Sequence, residues 1–163
     1  MDARIDPVWV FGLGPGDAHV LRNAGARATP DVMRSLALSQ AVLGTREVLV
    51  LGHTGCALLG RTEHELAEVI RSRSGHKPDL EIGVFQDLDE AVAEAVETLR
   101  GCWFLAHRDQ ISGYVYDLDA GTVRPVGVEE ERDSTTPPAM PLTGLRWLRA
   151  DVLDLKRDRP RRH

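Results

Sequence analysis

The chain has 163 residues, and its 20 Lys and Arg against 25 Asp and Glu give a formal net charge of −5. This length fits one domain, and a hydrophobic share of 42% excludes a disordered chain. The acidic balance argues against a general nucleic-acid binder, because phosphate contacts need a cationic surface. A membrane-spanning helix needs an uncharged apolar run of about 18 residues, and the sequence contains none. The first residues lack the apolar block of a signal peptide. We therefore expect no membrane association and a cytoplasmic location.

The first half of the chain alternates between strand and helix patterns. Residues 18–22 form a short candidate strand. A helix is predicted to begin after an N-cap at Thr29 or Asp31 and to end at Leu43. Residues 46–51 give the strongest strand prediction, since a nearly continuous branched apolar run that stops at a glycine is typical of parallel strands buried on both faces.

The same alternation continues in the second half of the chain. The predicted elements are a helix over 62–73, a helix over 87–100, a strand over 103–107 and a hairpin of strands 114–118 and 122–126. A capping box of Thr62 and Glu65 marks the start of the first of these helices. The sequence therefore predicts an α/β fold, a parallel sheet flanked by helices with an antiparallel edge strand.

The composition changes near residue 128. Residues 129–141 are charged and rich in Pro and Thr, residues 144–155 have the pattern of one amphipathic helix around Trp147, and residues 156–163 are basic. We predict a folded domain over residues 1–128 and a linker with a basic C-terminal extension over residues 129–163, disordered in solution. Docking of a helix around Trp147 is the alternative.

His53 and Cys56 stand on the turn that follows the strongest predicted strand. Ligands bind at the carboxyl ends of parallel strands, and a His-x-x-Cys spacing brings an imidazole and a thiolate towards one point, which suits zinc. The alternative interpretation makes Cys56 a small buried hydrophobic residue. Cys102 opens the predicted strand over 103–107, so it falls at the opposite edge of the sheet and is predicted to lie in the core.

Several motifs in this order resemble the beta-class carbonic anhydrases, most closely the compact bacterial members. They are D-A-H-V-L-R-N-A-G at 17–25, R-S-L at 34–36, L-G-T-R-E at 43–47, H-T-x-C at 53–56, G-Y-V-Y-D at 113–117 and Gly121. The resemblance covers about residues 1–126. It implies reversible hydration of carbon dioxide to bicarbonate by a zinc ion held by two cysteines and one histidine, in a homodimer or higher homo-oligomer.

The resemblance also assigns residues. His53 and Cys56 fall on two of the three zinc ligands. Asp2 and Arg4 match the D-x-R part of the family's C-x-D-x-R motif, in which the arginine orients the carboxylate and the aspartate accepts a hydrogen bond at the metal centre or takes its fourth position. Asp17, Arg22 and Asn23 receive support roles at the end of the sheet and the dimer interface.

Two departures from the family pattern lead to further expectations. The family's first cysteine would fall one position before Met1, and the family's preceding central strand, which lies between the strands predicted over 18–22 and 46–51, has no counterpart. We expect an N-terminally truncated chain. Ala57 stands where the family commonly has glycine.

Three alternative functions remain open. The first is hydration of another small substrate such as carbon disulfide by the same zinc centre. The second is a metal-poor, non-catalytic homologue that acts as a binding or structural protein. The third is nucleic-acid binding through four arginines of the basic tip, which stand at 157, 159, 161 and 162.

Overall fold

A computed structural model describes residues 1–127 of the chain. Its elements are α1 (Pro7–Val10), a 3-10 turn (Ala24–Ala26), α2 (Pro30–Leu43), β1 (Val48–His53), α3 (Glu63–Ser74), α4 (Leu88–Arg100), β2 (Ile111–Asp117) and β3 (Thr122–Val126). The strands form one sheet in the order β1-β2-β3, in which β1 and β2 are parallel and β2 and β3 are antiparallel. The predicted α/β class with an antiparallel edge is confirmed. The predicted extension over residues 129–163 lies outside the described residues.

The three predicted helices are confirmed, and side-chain caps define where each begins. The Thr29 side chain, rather than that of Asp31, accepts the hydrogen bond from the backbone at the start of α2. Thr62 and Glu65 form both bonds of the capping box of α3, and Asp87 caps α4. In the part of the chain that the structure describes, no helix is long and apolar enough to cross a membrane.

The core lies between α4 and the sheet. Helix α4 contributes four buried side chains to this interface, which are those of Val92, Ala95, Val96 and Leu99. Gly52 in β1 and Gly113 in β2 face the same helix, and a Cβ atom there would lie 2.6 Å and 2.8 Å from the methyl groups of Val92. The two glycines therefore allow the helix to approach the sheet closely. Cys102 is 6% exposed and belongs to this core, as predicted.

Strand β1 differs from its prediction in position and burial. It spans Val48–His53 rather than 46–51, so Gly52 lies inside the strand and His53 is its last residue. Burial alternates along it, and Leu49 is 36% exposed. The prediction of a strand buried on both faces is therefore wrong. Helix α4 covers one face, whereas on the other face a smaller cluster built around Ile5 and Val10 packs against Leu51.

The strand predicted over residues 18–22 is absent. This segment is not assigned to any strand, and Val20 and Leu21 are 40% and 46% exposed. Branched apolar residues favour strands only where a neighbouring strand supplies hydrogen bonds, and within residues 1–127 the sheet contains only β1, β2 and β3.

The strand predicted over residues 103–107 is also absent. Turns follow α4 here, and Trp103 is 83% exposed. The buried Gln40 side chain explains the difference, because its Oε1 accepts hydrogen bonds from the backbone N–H groups of Ala106 and His107. These donors are thereby satisfied without a strand partner. The ladder begins instead at Ile111, three residues before the start predicted for the first strand of the hairpin.

The predicted hairpin of β2 and β3 is confirmed. The Asp117 carboxylate accepts hydrogen bonds from the backbone N–H groups of Asp119 and Ala120, and Gly121 adopts a positive φ of 68°. This turn chemistry is typical of tight connections between antiparallel strands.

Candidate active site at the carboxyl end of the sheet

The site begins at His53, where β1 ends beside Tyr116 of β2. The His53 side chain is 13% exposed, and its Nδ1 lies 2.9 Å from the carbonyl oxygen of Thr54. A carbonyl only accepts hydrogen bonds, so this contact places the proton on Nδ1 and leaves the lone pair on Nε2. The imidazole therefore presents Nε2 as a potential metal ligand.

The turn after His53 is fastened to β2. The Thr54 N–H donates to the carbonyl of Tyr116 over 3.0 Å, and the Thr54 hydroxyl accepts from the N–H of Leu118 over 3.0 Å. Gly55 has a positive φ of 65°, a conformation that favours glycine. Cys56 follows as a half-buried free thiol. The strand end and the turn thus place the imidazole and the thiol on one short, anchored segment.

Asp2 and Arg4 form a bidentate ion pair. Arg4 Nε donates to Oδ1 of Asp2 over 2.9 Å, Nη2 donates to Oδ2 over 2.6 Å, and the Arg4 backbone N–H also donates to Oδ1. These hydrogen bonds hold the pKa of Asp2 well below its usual range, with a smaller electrostatic contribution from Arg4, and they raise the pKa of Arg4. Asp2 is thus kept ionised and acts as a hydrogen-bond acceptor.

The ion pair lies against the His53 turn. Oδ2 of Asp2 is 3.7 Å from Nε2 of His53. Arg4 Nη2 also donates to the carbonyl of Gly55 over 3.1 Å, so one guanidinium joins the carboxylate to the turn that carries Cys56. The structure therefore brings Asp2, Arg4 and His53 together.

Arg22 makes contacts that sequence reasoning missed. Its Nη2 donates to the backbone carbonyls of Asp2 over 2.5 Å and of Ile5 over 2.8 Å. No spacing in the sequence indicates this connection, because the partners are backbone atoms 17 and 20 residues away. The other two predicted support residues make local contacts: Asp17 accepts from the N–H of Gly14, and Asn23 donates to the carbonyl of Arg27.

The donors at this site match zinc in type but not in number. Imidazole nitrogen and thiolate sulfur are common zinc ligands, and a structural or catalytic site uses at least three protein ligands. Within residues 1–127, no group of three or more His, Cys, Asp and Glu side chains could hold a metal ion. Cys102 does not supply a third donor here, since it is buried in the core with α4.

Comparisons with known proteins show what the chain is similar to. The family model described as carbonic anhydrase matches residues 1–79. Beta-carbonic anhydrase 1 of Mycobacterium tuberculosis is 36% identical over 126 residues, which are 77% of each chain. The crystal structure of carbonic anhydrase from Streptococcus mutans superposes with a TM-score of 0.74 at 40% identity, covering 77% of this chain and 76% of that one. Carbon disulfide hydrolase of Acidianus sp. is 29% identical over 148 residues, 76% of this chain and 72% of that protein.

The chain is an α/β protein in which an Asp-Arg ion pair lies beside a strand-end histidine. This chain belongs to the beta-class carbonic anhydrase family.

Proposed function

We propose that this chain catalyses the reversible hydration of carbon dioxide to bicarbonate, at a zinc centre to which it contributes His53 and Cys56. The observation that carries the proposal is the position of the Asp2 carboxylate, which is held ionised by Arg4 and lies 3.7 Å from Nε2 of His53. When bound, zinc supplies the Lewis acidity that makes water a nucleophile near neutral pH.

The chain's own residues have separable tasks in this proposal. His53 offers Nε2 because the Thr54 carbonyl fixes the proton on Nδ1. Asp2 accepts a hydrogen bond at the reacting centre and so orients the group that donates it. Arg4 keeps the Asp2 carboxylate ionised and fixes its direction by two side-chain hydrogen bonds. The pair therefore acts on orientation and charge at the centre.

The ligand assignment is tested by zinc content and activity together. Zinc-loaded wild-type protein should hydrate carbon dioxide in a stopped-flow pH-indicator assay, whereas C56S and H53A should lose zinc and activity together. C102A is the matched control, because it removes the other thiol from the core while leaving the site untouched. Zinc retained at full stoichiometry in C56S would contradict the assignment of Cys56.

Asp2 is tested by D2N, which preserves the shape of the side chain and removes its charge. The variant should keep its zinc and lose roughly 10- to 100-fold in kcat, the usual cost of removing a partner that orients groups at a metal centre. A D2N enzyme with the kcat of the wild type would show that the carboxylate has no part in the reaction.

Two observations favour other functions. The similarity to carbon disulfide hydrolases supports carbon disulfide as an alternative substrate, and assaying both substrates on zinc-loaded protein distinguishes the two hydratases. The incomplete donor set in residues 1–127 supports a metal-poor, non-catalytic homologue. Stoichiometric zinc in the purified protein would exclude this second alternative.

We further propose a homodimer or higher homo-oligomer in the cytoplasm, with residues 129–163 as an extension of the domain. Large exposed apolar side chains such as Trp9 and Trp103 support association, and two free thiols are typical of a reducing compartment. The relatives that align over 126 residues support the domain boundary. Light scattering, cell fractionation and limited proteolysis test these points in turn.

A further inference from the structure

We infer that Arg22 is a positioning residue for the Asp2-Arg4 pair, and that it acts only through the backbone of the Asp2–Ile5 segment. This inference rests on the proposed function, because it gives Arg22 a task in the same site. Arg22 touches none of the proposed reacting groups. Its two hydrogen bonds end on the carbonyl oxygens of Asp2 and Ile5.

The geometry shows why these two bonds matter. Both come from one nitrogen, Nη2, at 2.5 Å and 2.8 Å. A single charged donor therefore binds both ends of the turn formed by residues 2–5. The turn has one weak internal backbone bond, from the N–H of Ile5 to the carbonyl of Asp2 over 3.3 Å. Hydrogen bonds from a charged donor are about twice as strong as neutral ones. Arg22 therefore supports this backbone at both ends, in addition to the bond from the Met1 amine to the Asn23 carbonyl and the burial of Ile5.

The position of the Asp2 carboxylate depends on that support. Asp2 Cα lies in the clamped turn, and the Arg4 guanidinium that binds the carboxylate belongs to the same turn. The remaining polar links from this turn to the His53 segment are the Arg4 bond to the Gly55 carbonyl and the 3.7 Å approach of Asp2 to His53. Without the Arg22 bonds the turn would open more often, so the Asp2–Arg4 hydrogen bonds would break more often and the carboxylate would move relative to His53. A misplacement of about 1 Å costs up to about 10²-fold in rate.

The 18–22 segment gains a role from the same contacts. It is not a strand, and its apolar side chains Val20 and Leu21 are exposed. Its last residue nevertheless contacts the site, and the following residue, Asn23, is fixed to the Arg27 carbonyl over 2.7 Å. Segment 18–22 thus places the Arg22 side chain against the turn at Asp2.

The experiment compares R22K, R22Q and R22M with the wild type, and R34M serves as the control. Arg34 is an exposed arginine whose side chain, within residues 1–127, pairs only with Asp31 on the surface of α2. Two quantities are measured: kcat for carbon dioxide hydration, and the NMR signal and hydrogen exchange of Arg4 Nε–H, which donates to Asp2. The NMR measurement does not require activity.

We expect R22M to keep the melting temperature within a few degrees of the wild type, to lower kcat by roughly 10- to 100-fold with little change in KM, and to speed exchange of Arg4 Nε–H. R22K, which retains a charged donor, should restore part of the kcat and part of the protection of Arg4 Nε–H from exchange. R34M should match the wild type. If R22M fails to fold, R22K and R22Q provide the same comparison, since kcat and protection must decline together.

Wild-type kcat and wild-type exchange in a folded R22M, or in R22Q, would overturn the inference. So would a decline in kcat with unchanged exchange, because Arg22 would then act in some other way. Failure of the proposed function is distinguishable from these outcomes: a wild-type protein that does not hydrate carbon dioxide refutes the function, while the exchange measurement still decides whether Arg22 holds the pair.

Discussion

The close contact between α4 and the sheet predicts a large effect of a single methyl group at Gly113. In G113A the new Cβ would lie 2.8 Å from Cγ1 of Val92 and 3.2 Å from Cγ2 of Val96. Carbon atoms normally sit about 3.5 to 4.0 Å apart, so the helix has to move away by roughly 1 Å. Overpacking of this kind costs about 1–3 kcal/mol, a large share of the about 5–15 kcal/mol by which a domain is stable.

Urea unfolding of the wild type, G113A and G101A measures this cost. G101A is the matched control, because Gly101 has an ordinary φ of −71° and its nearest contact to an added Cβ is 3.4 Å. We expect G113A to lower the free energy of unfolding by about 1–3 kcal/mol with an unchanged m-value, and G101A to stay within about 0.5 kcal/mol of the wild type.

Val92 supplies an internal check on the same reasoning. Its Cγ1 faces Gly113 and its Cγ2 faces Gly52, so V92A removes the atoms that an added methyl group would strike. The double variant G113A/V92A should therefore be more stable than the sum of the single changes predicts, by about 0.5–3 kcal/mol. A G113A protein as stable as the wild type, or a double variant whose cost is simply additive, would refute the close-contact argument.

Two further predictions concern buried or ordered polar contacts. The Glu63 carboxylate accepts hydrogen bonds from three backbone N–H groups of residues 82–84, which lower its pKa from its ordinary value of 4.5. The stabilisation by the ionised Glu63 carboxylate is therefore fully present above pH 4.5 and is lost as the pH falls through the lowered pKa. In urea titrations, the difference in free energy of unfolding between wild type and E63Q should therefore shrink below pH 4.5. Replacement of the buried Gln40 by leucine leaves the N–H groups of residues 106 and 107 unpaired, and thermal unfolding should show a loss of about 1–3 kcal/mol; an unchanged melting temperature in Q40L would mean that water or the loop satisfies these groups.

The helices could be predicted because their determinants are local. Thr29, Thr62 and Asp87 each bind a backbone N–H three residues on, and such short-range chemistry is readable from the sequence. The strands depend on partners far along the chain. The apolar run over 103–107 has strand propensity, yet Gln40, from another helix, occupies its backbone donors. The start of β1 at Val48 is likewise set by its pairing with Ile111.

The candidate site shows the same contrast between what the sequence predicts and what depends on contacts far along the chain. The His-x-x-Cys spacing pointed to His53 and Cys56, and the resemblance to the beta-class carbonic anhydrases assigned them as ligands and added Asp2 and Arg4. The contacts that connect and support the two pairs end on backbone oxygens: Arg4 reaches the Gly55 carbonyl, and Arg22 reaches the Asp2 and Ile5 carbonyls. Backbone acceptors have no residue type, so a sequence pattern contains no sign of them. The resemblance therefore predicts which residues take part in the site of this chain, Arg22 included, whereas the backbone contacts through which they are held become visible only in the folded structure.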